Sequence, residues 1–197
     1  MMIIKAFLLL LALTVPNFNK PIKNESKWVI AENSTLRVNG STNINRFSCA
    51  ILNYPKTDTV TINTEVGKQI ALQGRVSLNL KSFDCNNIIM TKQLRKTLKE
   101  EQYPFLHVNF LSLKGIPITE QTDNGVKGIV EIELAGIKRR FLIFYQIKTT
   151  SNGMTLSGCQ AITFSDFKLV PPQKMGKLIQ AKDQLKVDFE LNLQQAK

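Results

Sequence analysis

Leu72, Gly74, Val76, Leu78 and Leu80 alternate with Gln73, Arg75, Ser77, Asn79 and Lys81. A period of two sends one set of side chains to each face of a strand, apolar inward and polar outward. It excludes a helix there, whose period is ~3.6 residues. The same alternation returns in Val60, Ile62, Thr64 and Val66, and in Val130, Ile132 and Leu134 against Glu131 and Glu133. It closes the pattern in Val187, Phe189, Leu191 and Leu193. Trp28, Ile30, Leu36 and Val38 predict a first strand, and Ile44 to Leu52 a second. Phe141, Ile143, Tyr145 and Ile147 alternate with a second apolar set, Leu142 and Phe144, which predicts a strand covered on both faces. Asp123-Asn124-Gly125, Ala135-Gly136 and Ser151-Asn152-Gly153 mark hairpin turns. About eight antiparallel strands with short links make an all-β barrel or sandwich, and a barrel removes the exposed edges. The basic stretch from Pro171 to Ala181 is predicted to be an irregular link.

One segment breaks the period. Met90, Leu94 and Leu98 are spaced four apart, with Lys92, Arg95, Lys96 and Lys99 on the other side of the wheel. This predicts one α-helix over about 90–102, capped by Thr91 or one of Asn86 and Asn87. Tyr103-Pro104 ends it, since the residue before proline is pushed out of the α region.

The N-terminus carries one early cation, Lys5, then an apolar run from Ala6 to Val15. As a helix it reaches about 15 Å, half a bilayer core. That length fits the h-region of a secretory signal over residues 1–20, with a poor cleavage site. The expected folded domain is 27–195, and the expected location is exported, periplasmic or secreted. Cys49, Cys85 and Cys159 then meet an oxidising compartment, and an odd count leaves at least one unpaired within the chain. Cys49 with Cys85 is the preferred pair, Cys159 is expected as a small buried thiol, and the sequence leaves the other pairings open.

Several short motifs come in a fixed order. They are Gly40-Ser41-Thr42-Asn43 with Phe47, Ser82-Phe83-Asp84, the helix leucines Leu94 and Leu98, Tyr103-Pro104-Phe105, Gly128 to Phe141, and Ser165-Asp166-Phe167-Lys168-Leu169. In this order, from Trp28 to Leu193, the chain resembles the YceI-like family of exported lipid- and polyisoprenoid-binding proteins. Two departures stand out. Met90-Thr91-Lys92 lacks the Arg-Asp pair that many members carry at the helix start, and Lys168 stands where the family has glycine. The cysteines at 49 and 85 fit a subgroup of the family. The resemblance implies a lipocalin-like barrel around a channel for a polyisoprenoid, quinone or fatty-acyl chain. Its candidate lining residues are Phe47, Phe83, Leu94, Leu98, Phe110, Ile132, Phe164 and Phe167. A charged head group would want a cation, and Arg46, Arg75, Lys92 and Arg95 are the candidates. Trp28 is expected to seal the barrel base. The alternative is a structural or interaction module of the cell envelope with a solid core.

Other chemistry finds no support in the residues. His107 is the only histidine, and no nucleophile elbow accompanies it. One histidine and three scattered cysteines give no metal-ligand spacing. No phosphate-binding glycine pattern occurs. The expectation is therefore no catalysis, no cofactor and no metal. The net charge of +11 suits acidic partners, including an anionic membrane surface. Nucleic acid is not expected, because a basic groove interleaved with aromatics is missing.

Overall fold

The computed structural model describes residues 23–55, 58–65, 71–114, 126–150, 153–174 and 178–196. The expected signal segment and the turns at 123–125 and 151–152 lie outside these residues. The described elements are β1 (Lys23–Ile30), β2 (Thr35–Ser41), β3 (Arg46–Ile51), β4 (Thr59–Glu65) and β5 (Ala71–Asn79), then α1 (Ile88–Thr97). After it come β6 (Phe105–Lys114), β7 (Val126–Leu134), β8 (Ile137–Thr150), β9 (Gly153–Thr163), β10 (Gln173–Lys174), β11 (Ile179–Gln180) and β12 (Gln184–Gln195).

Eight strands close a barrel in the order β1, β4, β5, β6, β7, β8, β9, β12 and back to β1. Every neighbouring pair is antiparallel. The alternation explains which side faces in. Leu72, Val76 and Leu78 of β5 and Val126, Val130 and Leu134 of β7 are buried in one continuous core. Arg75, Glu131 and Glu133 lie outside and pair across the wall.

β12 is the spine. It pairs with β9 along most of its length, with β2 through Lys186–Glu190, and with β1 through Leu193–Gln195. The expected first strand is therefore two. The chain turns after Ile30, the Ser34 N–H donates to the Ala31 carbonyl at 3.0 Å, and the Ser34 hydroxyl accepts the Asn192 N–H at 3.0 Å. β2 then takes over the edge of β12 that β1 has left. β3 pairs with β2 and extends the wall at one end.

That end also carries α1, the turn between β2 and β3, the turn between β7 and β8, and everything between β9 and β12. Three bonds fasten the outer edge of β3 to the segment before α1. Ala50 exchanges both backbone hydrogen bonds with Asp84. Cys49 is bonded to Cys85, as the preferred pairing expected. On the other side of the gap, the Ser77 N–H donates to the Asp58 carboxylate at 2.9 Å, and the Tyr54 hydroxyl donates to the same carboxylate.

The helix begins at Ile88 and ends at Thr97, earlier at both ends than expected. Asn87 caps it, its side chain accepting the Met90 N–H at 3.0 Å. At the other end Lys99 turns left-handed at φ 56°. The Glu100 N–H then reaches the Arg95 carbonyl and the Lys99 N–H the Lys96 carbonyl, the pair of bonds that stops a helix at a left-handed residue. Residues 98–102 are turn, and Pro104 only follows a helix already ended.

Three further expectations are corrected. Leu142 and Phe144 are 50% and 53% exposed, so among the described residues β8 is covered on its inner face only. The reason is that α1 sits at the end of the barrel and not against this wall. The link after Pro171 is not irregular throughout, because β10 and β11 pair within it. Cys159 is exposed. It points outward between Gly158 and Gln160, opposite Asp188 on β12.

Candidate functional site

Two apolar cavities are present, one within the barrel and one at its helix end. The first is the lumen, with a free volume of about 90 Å³. Inward residues of most barrel strands line it, among them Val76, Phe110, Ile132, Tyr145, Ile162 and Phe189. Gln160 is one of few polar groups on its wall. The Phe189 ring packs edge-on against Tyr145 with centroids 5.5 Å apart. Both rings fill space that a wider barrel would leave open.

The second cavity lies at the helix end and measures about 230 Å³. The helix stripe supplies Met90 and Leu94, β3 supplies Phe47 and Cys49, Phe164 joins from just after β9, and the β10–β11 hairpin adds Ile179. The two cavities abut along single strands. Ile51 lines the lumen and Cys49, two residues back on β3, lines the helix end. Ile162 and Phe164 repeat that step at the end of β9. Gly40 makes room for the partition, since a Cβ there would stand 2.3 Å from the Phe47 ring and 2.8 Å from Leu185.

The expected lining residues divide between these spaces. Phe110 and Ile132 line the lumen. Phe47, Leu94 and Phe164 line the helix-end cavity. Leu98 and Phe167 are buried in the core and line neither. Phe83 is buried on the far side of α1, beneath an open polar groove.

No protein-family model matches the sequence, and no curated protein matches it. Solved structures do. A polyisoprenoid-binding domain from Saccharophagus degradans, described as implicated in plant cell wall breakdown, superposes with a TM-score of 0.62 at 10% identity. The match covers 88% of this chain and all (100%) of that one. BcnA from Burkholderia cenocepacia gives 0.60 at 13% identity, over 81% of this chain and 94% of that one. The YceI protein of Campylobacter jejuni gives 0.51 at 15% identity, over 72% of this chain and 82% of that one. The chain has the YceI fold.

Within this YceI-type barrel the candidate cations are dispersed. Arg75 is on the outer wall, bonded to Glu133 at 2.9 Å. Lys92 and Arg95 border the open groove beside α1. Arg95 does not point outward with the other helix cations. Its guanidinium donates to the carbonyls of Lys81 and Phe83, the latter at 2.9 Å, in the segment where the chain leaves the sheet. Arg46 is exposed where β3 begins, next to the helix-end cavity.

Three titratable groups of the YceI-type barrel are shifted upward. Burial pushes the Tyr145 hydroxyl well above the usual phenol range, and it makes no hydrogen bond among the described residues. Burial and then Asp58 do the same to Tyr54. Partial burial and Asp188 raise Cys159. His107 Nδ1 is 2.9 Å from the Ser77 hydroxyl on the outer wall. Trp28 packs against the core and its indole N–H donates to Ser26 at 3.1 Å. Among the described residues no group of three metal-ligating side chains converges, and no helix is long and apolar enough to cross a membrane.

The alternation named the strands that carry Tyr145 and Phe189 without assigning these residues to the lumen. Their signal was available, because each shares the phase of its buried neighbours. Ile44, Pro172 and Ile179 gave none, since they reach the helix-end cavity from turns and a two-residue strand.

Proposed function

We propose that this chain is a non-enzymatic carrier or sequestering protein for a long apolar chain, a polyisoprenoid, quinone or fatty-acyl lipid. The observation that carries this reading is the pair of abutting apolar cavities. The likeness to a solved polyisoprenoid-binding domain supports it. Burying hydrocarbon contributes about 0.8 kcal/mol per CH₂. A five-carbon unit thus contributes roughly 3–4 kcal/mol before ordering and association costs are subtracted. A cavity of ~150 Å³ is enough for benzene. The helix-end cavity, at about 230 Å³, exceeds that, and the lumen, at about 90 Å³, does not. The chain therefore enters at the helix end, and its deeper part takes the lumen only as Phe47 and Phe189 rotate aside. Recognition is by length and shape, because the walls offer few polar contacts. The Cys49–Cys85 bond and the N-terminal apolar run support function in an oxidising, extracytoplasmic compartment.

Native mass spectrometry with added polyprenyl phosphate, quinone or fatty acid tests this. The expected result is a one-to-one adduct that grows more stable with chain length. The small lumen favours a second reading, a solid-core module of the cell envelope. Absence of any adduct across the lipid series, from a folded and monodisperse protein, would establish that reading and end the first.

A further inference from the structure

The outer surface of the barrel is not uniform. Five of the ten large exposed apolar side chains among the described residues, Ile44, Ile88, Ile89, Val170 and Leu178, belong to segments at the helix end. Three of these edge the opening of the helix-end cavity. Ile44, 60% exposed, lines it directly. Leu178, 70% exposed, is tied beside it, since the Asn43 side chain donates to the Leu178 carbonyl at 2.8 Å. Ile89, 66% exposed, precedes Met90 and lies one turn before Gln93, both of which line the cavity. Large apolar side chains held in water at the rim of an apolar opening mark an interaction site.

Exposed cations also gather at this end. Arg46 and Lys182 are exposed beside the cavity, Lys96 and Lys168 are exposed at the same end, and none of the four is ion-paired among the described residues. The neighbouring carboxylates are occupied. Asp84 accepts the Asn86 N–H, Asp166 the Thr163 N–H, and Asp183 the Ser165 N–H. They hold turns in place, and none of the three forms an ion pair with these cations among the described residues. Two copies of this chain, each at +11, would repel if these faces met. A surface of negative charge laid over hydrocarbon matches both properties of the rim at once.

We propose that the helix end of the barrel docks on an anionic lipid bilayer. Ile44, Ile89 and Leu178 enter the boundary between headgroups and acyl chains, while Arg46, Lys96 and Lys182 meet lipid phosphates. This opens the helix-end cavity onto hydrocarbon and not onto water. The docking goes beyond the carrier reading and does not depend on it, because a barrel holding no lipid presents the same rim.

Co-sedimentation of delipidated protein with vesicles tests the proposal. The expected result is binding to phosphatidylcholine mixed with phosphatidylglycerol and little to phosphatidylcholine alone. Binding falls as salt approaches 1 M, where the Debye length is about 3 Å. The double variant Arg46→Gln/Lys182→Gln binds roughly 25-fold more weakly, about five-fold for each cation removed. Ile44→Asp/Leu178→Asp loses binding, whereas Ile129→Asp, on the exposed wall of β7, does not. These positions are exposed, and a far-ultraviolet spectrum of each variant confirms folding. A second readout uses the intact site: an Ile44→Trp variant should be quenched by brominated lipids. No binding to anionic vesicles at low salt overturns the proposal. So does binding that Ile129→Asp abolishes while Ile44→Asp/Leu178→Asp leaves it intact.

Discussion

Lys168 holds a left-handed backbone, φ 54° and ψ 33°, at the end of the 3-10 turn Ser165–Phe167. An L-residue with a side chain loses about 1–2 kcal/mol in that region. Glycine loses little there but carries about 0.5–1 kcal/mol of extra backbone entropy in the unfolded chain. Lys168→Gly should therefore stabilise by about 0.5–1 kcal/mol, a Tm rise of about 2–3 °C for a domain of this size. Calorimetry reads it directly. This explains the glycine that the family resemblance led one to expect: the turn asks for it and the chain does without. Tyr145 makes a second residue-scale prediction. Burial raises its folded pKa above the unfolded value of about 10. The protonated folded form is favoured, so the stabilisation is complete below about pH 10 and is lost as pH rises toward the folded value. Tyr145→Phe should flatten the fall of Tm between about pH 9 and pH 11. Tyr54, raised for the same first cause, keeps some of the slope in place.

At the scale of elements, α1 is held by few attachments that each matter. The Cys49–Cys85 bond spans 36 residues, and chain entropy assigns such a loop roughly 4 kcal/mol. The double variant Cys49→Ser/Cys85→Ser should speed amide exchange through residues 80–99 before exchange in β7 or β8 changes. Arg95 is a second attachment. Arg95→Met removes the donors from two carbonyls and should cost about 1–3 kcal/mol in denaturant unfolding. Lys92→Met, one turn earlier and exposed, should be nearly neutral. Most strands were legible in the sequence because period two survives wherever one face is buried, as in β5, β7 and β12. Where the structure departs, phase was silent. Trp28, Ile30, Leu36 and Val38 keep the same parity across the turn at Ser34, so alternation could not show the break. Cys159 stands between Gly158 and Gln160, neither of which marks an inner face by its hydropathy. The helix-end cavity was legible only in part, since half its wall comes from turns that have no period.

At the scale of the molecule, capacity is set by rings inside the barrel. Phe189 lies over Gly158, where an added Cβ would meet its ring at 2.6 Å. It also stands against Tyr145. Phe189→Ala should enlarge the lumen and shift uptake toward longer chains in a competition read by native mass spectrometry. The stability cost should be at or below the usual ~3–5 kcal/mol for a buried Phe→Ala change, because Phe189 is only partly buried. The same substitution has little effect on a barrel that takes no ligand, so it also separates the two functional readings.

β12 comes last in chain order among the barrel strands, yet it contacts the first two as well as β9. Until it is made, the other seven barrel strands form an open sheet with unpaired edges on β1 and β9, and β2 has no spine to join. A ribosome or a secretion channel that has delivered every residue up to Asp183 has delivered a polypeptide unable to seal itself. Closure waits on the arrival of twelve residues, Gln184–Gln195, which act at once on three partners. The open edges are also where another molecule, such as a holding chaperone, has its longest opportunity to engage the chain.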